Sequence, residues 1–160
     1  MRKFYLGAIL LAVISASCTK DASIQYFQDD ASINTVYGTW KLVSRENYAT
    51  GEVFYKDQND VQPYCNNAAS CDIILTFLRN NLTDSLTGHT ITNQVSGIFT
   101  FNPSLRQFSI TSFGGTKVGE PRWSDNIWDN AHDIGKYKVT NQYLRLYMNS
   151  KQESLTFQRL

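Results

Sequence analysis

The side chains with the clearest capacity for chemistry fall in one stretch. Asp125, Asp129 and Asp133 recur every four residues, with His132 beside the last. On a helix that spacing puts the carboxylates on one side, and carboxylates with an imidazole are a donor set for a divalent cation. The same pattern also makes the solvated face of an amphipathic helix. Trp123, Ile127, Ala131 and Ile134 recur at four, four and three on the other side. Like charges at this spacing repel mildly. The solvated face is the expectation, and no metal site is assigned. His89 stands apart from any Ser or Cys nucleophile motif and reads as a strand residue with its hydrogen bond met. The chain has no Gly-x-Ser-x-Gly, no Gly-rich phosphate loop and no His-Glu-x-x-His. No catalytic residue and no cofactor are expected; a site assembled only in three dimensions stays open.

A second group is suited to binding rather than reaction. Trp128 lies about 100° around the helix from Ile127, at the edge of the apolar stripe. There it is either a flank of the core or an exposed aromatic with its indole N–H as a polar handle. Tyr48, Phe54, Tyr55 and Tyr64 crowd the early loops. A mouth rimmed by these rings and Trp128 is the candidate ligand-contact surface.

At the start of the chain, Arg2 and Lys3 precede an almost unbroken apolar run, Phe4 to Ile14, and Ser15-Ala16-Ser17 leads into Cys18. A positive start, a short apolar core and small residues make a secretory signal. The run is shorter than the ~18–20 apolar residues a transmembrane helix needs. With Cys18 directly after the small residues, the stretch resembles a bacterial lipoprotein signal. Ser15 stands where that motif usually has Leu, a looser form found in the Bacteroidetes. The resemblance implies cleavage before Cys18, lipid on Cys18, and an outer membrane lipoprotein facing the periplasm or the cell surface. The division expected is a signal peptide over 1–17, a lipidated Cys and polar tether over 18–35, and one domain over 36–160. Ile24, Tyr26 and Phe27 give the tether a means of local docking.

That reading accounts for the three cysteines. Cys18 takes lipid, which leaves Cys65 and Cys71 as a pair around a small polar loop. In an oxidising envelope a disulfide is their natural state. Five intervening residues match no common zinc or redox spacing.

Removing 1–17 leaves 160 − 17 = 143 residues, enough for a single core. The whole chain has 15 Lys+Arg and 14 Asp+Glu; losing Arg2 and Lys3 makes the mature charge 13 − 14 = −1. Scattered, near-neutral charge argues against nucleic acid and against a polybasic membrane patch. The membrane, through the lipid, is the partner implied. Nine Tyr, nine Phe and three Trp favour sheet.

Strand periods fall at 36–44, 52–56, 72–79, 89–93, 95–101, 105–113, 136–140, 143–148 and 154–159. Asn80-Asn81, Asn102-Pro103-Ser104 and Asn141-Gln142 supply turns, and 57–70 reads as a loop. Gly114-Gly115 ends a strand. One helix runs from a Ser124 N-cap to a Gly135 stop. The fold expected is mainly β: an antiparallel barrel-like or sandwich sheet with one short helix.

Several segments in this order carry a further resemblance: Gly38-Thr39-Trp40-Lys41-Leu42, Leu75-Thr76-Phe77, and Gly88 to Asn93 followed by Gly97-Ile98-Phe99. Thr116 to Pro121, Ile127 to Ile134, Tyr137-Lys138-Val139, Leu144-Arg145-Leu146 and Leu155-Thr156-Phe157 continue it. Together they resemble the META domain family of small bacterial envelope domains, over about Val36 to Arg159. Many members carry a Cys before the central Asn and another before the helix. Here Thr92 and either Val118 or Gly119 stand in those places, so no role of those cysteines transfers. The resemblance implies a non-enzymatic binding or structural module with a link to envelope stress, and it specifies no ligand. Lipocalin-like envelope domains share the opening Gly-x-Trp and imply instead a carrier of a small apolar ligand. The interior separates the two: filled by side chains in the first case, holding an apolar cavity of at least roughly 300 Å³ in the second. Asp84-Ser85-Leu86 also resembles a short O-glycosylation motif of the Bacteroidetes.

Overall fold

Alternating apolar and polar residues build nine strands among the described residues, and in the computed structural model these form one antiparallel sheet. Residues 29–33, 35–65 and 71–160 are described. Cys18, the 1–17 signal, and Ile24, Tyr26 and Phe27 lie outside them. The strands are β1 (Gly38–Asn47), β2 (Glu52–Phe54), β3 (Ile74–Leu78), β4 (Ser85–His89), β5 (Gln94–Asn102), β6 (Gln107–Gly115), β7 (Ile134–Val139), β8 (Tyr143–Met148) and β9 (Glu153–Arg159). Helix α1 spans Gln58–Val61 and α2 spans Arg122–Asn130. Strand β9 pairs back onto β1, from Trp40↔Arg159 to Asn47↔Glu153, so eight strands close into a barrel. Strand β2 lies outside the ring, on the end of β1.

The inward faces are apolar and meet in one cluster. Trp40, Phe77, Phe99, Phe108, Tyr137 and Phe157 are fully buried there. The rings of Phe77, Phe99 and Phe108 lie within 5.1–5.5 Å of one another, centroid to centroid. This is an interior filled by side chains. Outward faces carry Thr39, Lys41, Thr76, Thr87, Ser96, Thr100, Ser109 and Lys138.

Bulges reset the alternation where the end of the barrel needs it. In β1 the pairing jumps from Leu42↔Phe157 to Ser44↔Thr156, leaving Val43 over. Beyond it Arg45 stands opposite inward-facing Leu155. In β6 Thr111 is the extra residue, and beyond it Phe113 stands opposite Gly97.

Several expected boundaries shift. Strand β4 is Ser85–His89 rather than 89–93, because Thr90 and Asn93 close a turn through Thr90 N to the Asn93 carbonyl, 2.8 Å. Gly114 and Gly115 lie within β6 instead of ending it. A Cβ at Gly115 would collide with the Gln94 carbonyl, so the close strand approach requires glycine there. The helix starts after Pro121, not at a Ser124 cap, and stops at Asn130. Ala131–Asp133 then form a 3-10 turn, and Gly135 belongs to β7. Part of the 57–70 loop is helical, with Asp57 capping α1 by accepting from Asn59 N at 2.9 Å. The disulfide Cys65–Cys71 is formed, with a Cα–Cα distance of 5.5 Å.

Among the described residues, packing on the barrel includes Asp29 to Ile33, which precede Val36. Arg106, in the β5–β6 turn at φ +51°, sits in the left-handed region that non-glycine residues seldom enter. Its guanidinium bonds Asp29 Oδ2 at 2.7 Å and the carbonyls of Asp30 and Ile33 at 2.9 Å each. Burial works against the charge of Arg106, but the Tyr137 hydroxyl and Asp29 outweigh it and raise its pKa. Asp30 is held below its usual range by the Ser32 hydroxyl and N–H that it accepts.

Candidate functional site

The barrel has two distinct ends. The β5–β6 and β7–β8 hairpin tips mark one; α2 and the long connections mark the other. Trp123, Ile127 and Ala131 are buried where α2 closes that second end. They belong to the apolar stripe, spaced so that one helical face meets the core.

A groove of about 510 Å³ opens beside the start of α2. The bulge at Val43 brings Arg45 to its floor. Arg45 Nη1 donates to the Arg122 carbonyl at 3.3 Å, and Nη2 meets Glu153 Oε2 at 3.4 Å. Asp60 accepts from the Trp123 backbone N at 3.1 Å, tying α1 to α2. The buried Nε of Arg45 and the indole Nε1 of Trp123 have no hydrogen-bond partner among the described residues. Phe54 and Tyr55 form the wall, 42% and 59% exposed. Ring faces, guanidinium groups and carboxylates thus share one concavity, a combination able to contact both polar and apolar groups.

The junction that holds this end together centres on Glu120. One oxygen accepts from the Thr90 hydroxyl and from Asn93 Nδ2, the other from the Ser124 hydroxyl. Burial pushes the Glu120 carboxyl up, but hydrogen bonds, chiefly from Ser124, Thr90 and Asn93, outweigh it and hold the group below its usual range. Asn93 adds bonds to the Val118 carbonyl (2.8 Å) and from the Val118 N (2.6 Å). Thr92 Oγ1 donates to the Gly119 carbonyl at 3.1 Å. The β4–β5 turn and the segment before α2 are thus joined by hydrogen bonds.

The expected aromatic mouth is only partly assembled. Phe54 and Tyr55 share the groove. Tyr48 packs edge-on against Tyr147, centroids 6.0 Å apart. Tyr64 is exposed on the 3-10 turn after α1. Trp128 is a half-buried core flank against Phe113, at 5.6 Å. The bulge at Thr111 turns Phe113 to meet it. Arg45 and Arg122 join the groove although no sequence motif marks either of them. Asn93 and Glu120 fall within Gly88 to Asn93 and Thr116 to Pro121, but nothing in either segment alone pairs them.

The acidic stretch does not act as a unit. Asp133 lies in the 3-10 turn, off the axis of α2, and accepts from Ser150 N and Oγ at 3.0 and 2.7 Å. His132 Nδ1 sits 2.9 Å from the Ile110 carbonyl. His89 ends β4, its Nδ1 3.0 Å from the Thr90 carbonyl.

No protein-family model matches this chain, and no curated protein does. Solved structures do share its fold. A DUF4847 family protein from Bacteroides vulgatus ATCC 8482 is 14% identical, with a TM-score of 0.52 over 76% of this chain and 91% of that one. A protein from Burkholderia xenovorans solved by NMR is 16% identical, with a TM-score of 0.61 over 89% of this chain and 96% of that one. At such identities the likeness concerns the fold alone.

Proposed function

We propose that this protein is a non-enzymatic envelope lipoprotein, anchored at the outer membrane through Cys18, whose META-like barrel serves as a binding module. The observation that carries the binding reading is the filled interior. With Trp40, Phe77, Phe99, Phe108, Tyr137 and Phe157 packed on the axis, recognition falls to the outer surface. The groove of Phe54, Tyr55, Arg45 and Arg122 offers such a surface. The same packing weighs against the lipocalin-like alternative, which needs an apolar cavity where these rings meet. The signal layout, ending at Cys18, supports the anchor and the envelope location.

A photoreactive phenylalanine analogue placed at Tyr55, in intact cells, tests the groove. The expected result is a discrete crosslinked product from Tyr55 and none from the same analogue at Thr87, exposed on β4. Equal or absent crosslinking at both positions contradicts the assignment.

A further inference from the structure

The end of the barrel opposite the groove has its own character. Three connections meet there: 79–84 between β3 and β4, 103–106 between β5 and β6, and 140–142 between β7 and β8. Their tips, Asn80-Asn81-Leu82-Thr83, Pro103-Ser104-Leu105 and Thr140-Asn141-Gln142, carry no charge. Leu82 is 97% exposed and Leu105 62% exposed. Leu160 is exposed at the same end, where its N–H bonds the Thr39 carbonyl at 3.0 Å. Charged groups behind the tips are engaged. Asp84 accepts from the Tyr37 hydroxyl at 2.8 Å, Arg106 pairs with Asp29, and Arg159 lies over the Trp40 ring. The opposite end carries charge of both signs instead: Asp57, Asp60, Glu120, Asp125, Asp129 and Asp133, with Arg45, Lys117 and Arg122.

The chain leading to Cys18 departs from the leucine end. Asp29 is fixed there by Arg106 and by Val139 N, which donates to Asp29 Oδ1 at 2.9 Å. A chain spans at most about 3.3–3.6 Å per residue, so residues 18–28 keep Asp29 within roughly 40 Å of the lipid. Exposed leucines on uncharged tips, beside the point of tethering, match an interfacial lipid contact. The barrel wall does not: apolar residues face in and Thr, Ser and Lys face out, the reverse of a membrane-spanning barrel.

We propose that this end of the barrel rests on the lipid surface, with Leu82 and Leu105 dipping into the interface, so that the groove faces away from the membrane. The inference rests on the Cys18 anchor and adds an orientation to it. Leucines at two tips orient the domain, while the acyl chains hold it.

The test uses the full chain, processed in cells and reconstituted into vesicles of phosphatidylethanolamine and phosphatidylglycerol. Ser104→Cys and Thr50→Cys each receive a fluorophore, and brominated lipid is the quencher. Both positions are exposed, one at the leucine end and one at the groove end. Quenching at Ser104 and little at Thr50 is the expected result. Leu82→Asp with Leu105→Asp is expected to lose the Ser104 quenching while retaining the wild-type circular dichroism spectrum. Should that pair fail to fold, the Ser104 against Thr50 comparison still decides. Equal quenching at both positions, or stronger quenching at Thr50, overturns the orientation and leaves the leucines to a protein partner. The intact mass of the same preparation reports the anchor separately. Acylated protein with unquenched tips refutes the orientation alone, whereas protein without acyl chains removes the anchor and the orientation with it.

Discussion

Replacing Glu120 is the sharpest perturbation of the groove end. Its carboxylate accepts from Thr90, Asn93 and Ser124, all three almost wholly buried. In Glu120→Ala each donor loses a charged acceptor. Each also keeps another: the Asn93 carbonyl for Thr90 at 3.3 Å, the Val118 carbonyl for Asn93 at 2.8 Å, and the Pro121 carbonyl for Ser124 at 3.2 Å. A buried donor left unpaired costs ~1–3 kcal/mol, so the retained partners place each at the lower bound and the total at about 3 kcal/mol. Glu120→Gln keeps the volume, but one arm becomes a donor facing a donor, for a loss of about 1–2 kcal/mol. Urea unfolding at neutral pH measures both. With an unchanged slope, the alanine variant should move the midpoint down by about 1–2 M. The pH dependence gives a second handle. Glu120 is held below its ordinary value, so its stabilisation is present above the usual carboxylate range and fades as pH falls through the lowered one. That component should be missing from Glu120→Gln. Variants within about 0.5 kcal/mol of wild type, with an unaltered acid limb, would refute the reasoning, since solvent-exposed groups behave that way.

Other parts of the fold give separate expectations. Burial first, then the hydrogen bond to Asp84, pushes the Tyr37 phenol up to about 12. Its stabilisation is therefore complete below the ordinary tyrosine value near 10 and lost as pH rises toward 12. Tyr37→Phe should cost about 1 kcal/mol and remove a step near 12 from an ultraviolet titration of tyrosinate. Reducing Cys65–Cys71 should lower stability by about 2 kcal/mol for so short a loop, read as a urea midpoint with and without reductant. Arg106→Ala should free residues 29–33, seen as faster amide exchange at Ile33, whose N–H bonds the Asp30 carbonyl at 3.0 Å, with Phe99 and Leu146 protected as before.

Residues with a strict period are legible in the sequence alone. Ile73, Leu75 and Phe77, and Leu144, Leu146 and Met148, are buried as their alternation implies. Trp123, Ile127 and Ala131 line one side of a helix and its following turn, since 3.6-residue periodicity is a local property, and Ile134, the last residue of that pattern, is buried at the start of β7. Local pattern does not give the effect of a bulge. One extra residue flips every later side chain, so Val43 and Thr111 move Arg45 and Phe113 to faces that alternation denies them. The groove inherits this: Arg45 comes from a bulged strand and Arg122 from a helix 77 residues later. The strand expected over 89–93 does not form because Thr90 and Asn93 find partners in each other and in Glu120, satisfying polar groups that a ladder would otherwise take. The Asp57 cap is similarly hidden in a segment whose composition reads as loop.

The anchored-module account turns on Cys18, and the intact mass of the mature protein extracted from membranes tests it most directly. The account predicts a chain beginning at Cys18 and carrying acyl groups, with Cys18→Ala unacylated and no longer recovered with the membrane. An unacylated wild-type chain, or one beginning at another residue, would contradict it.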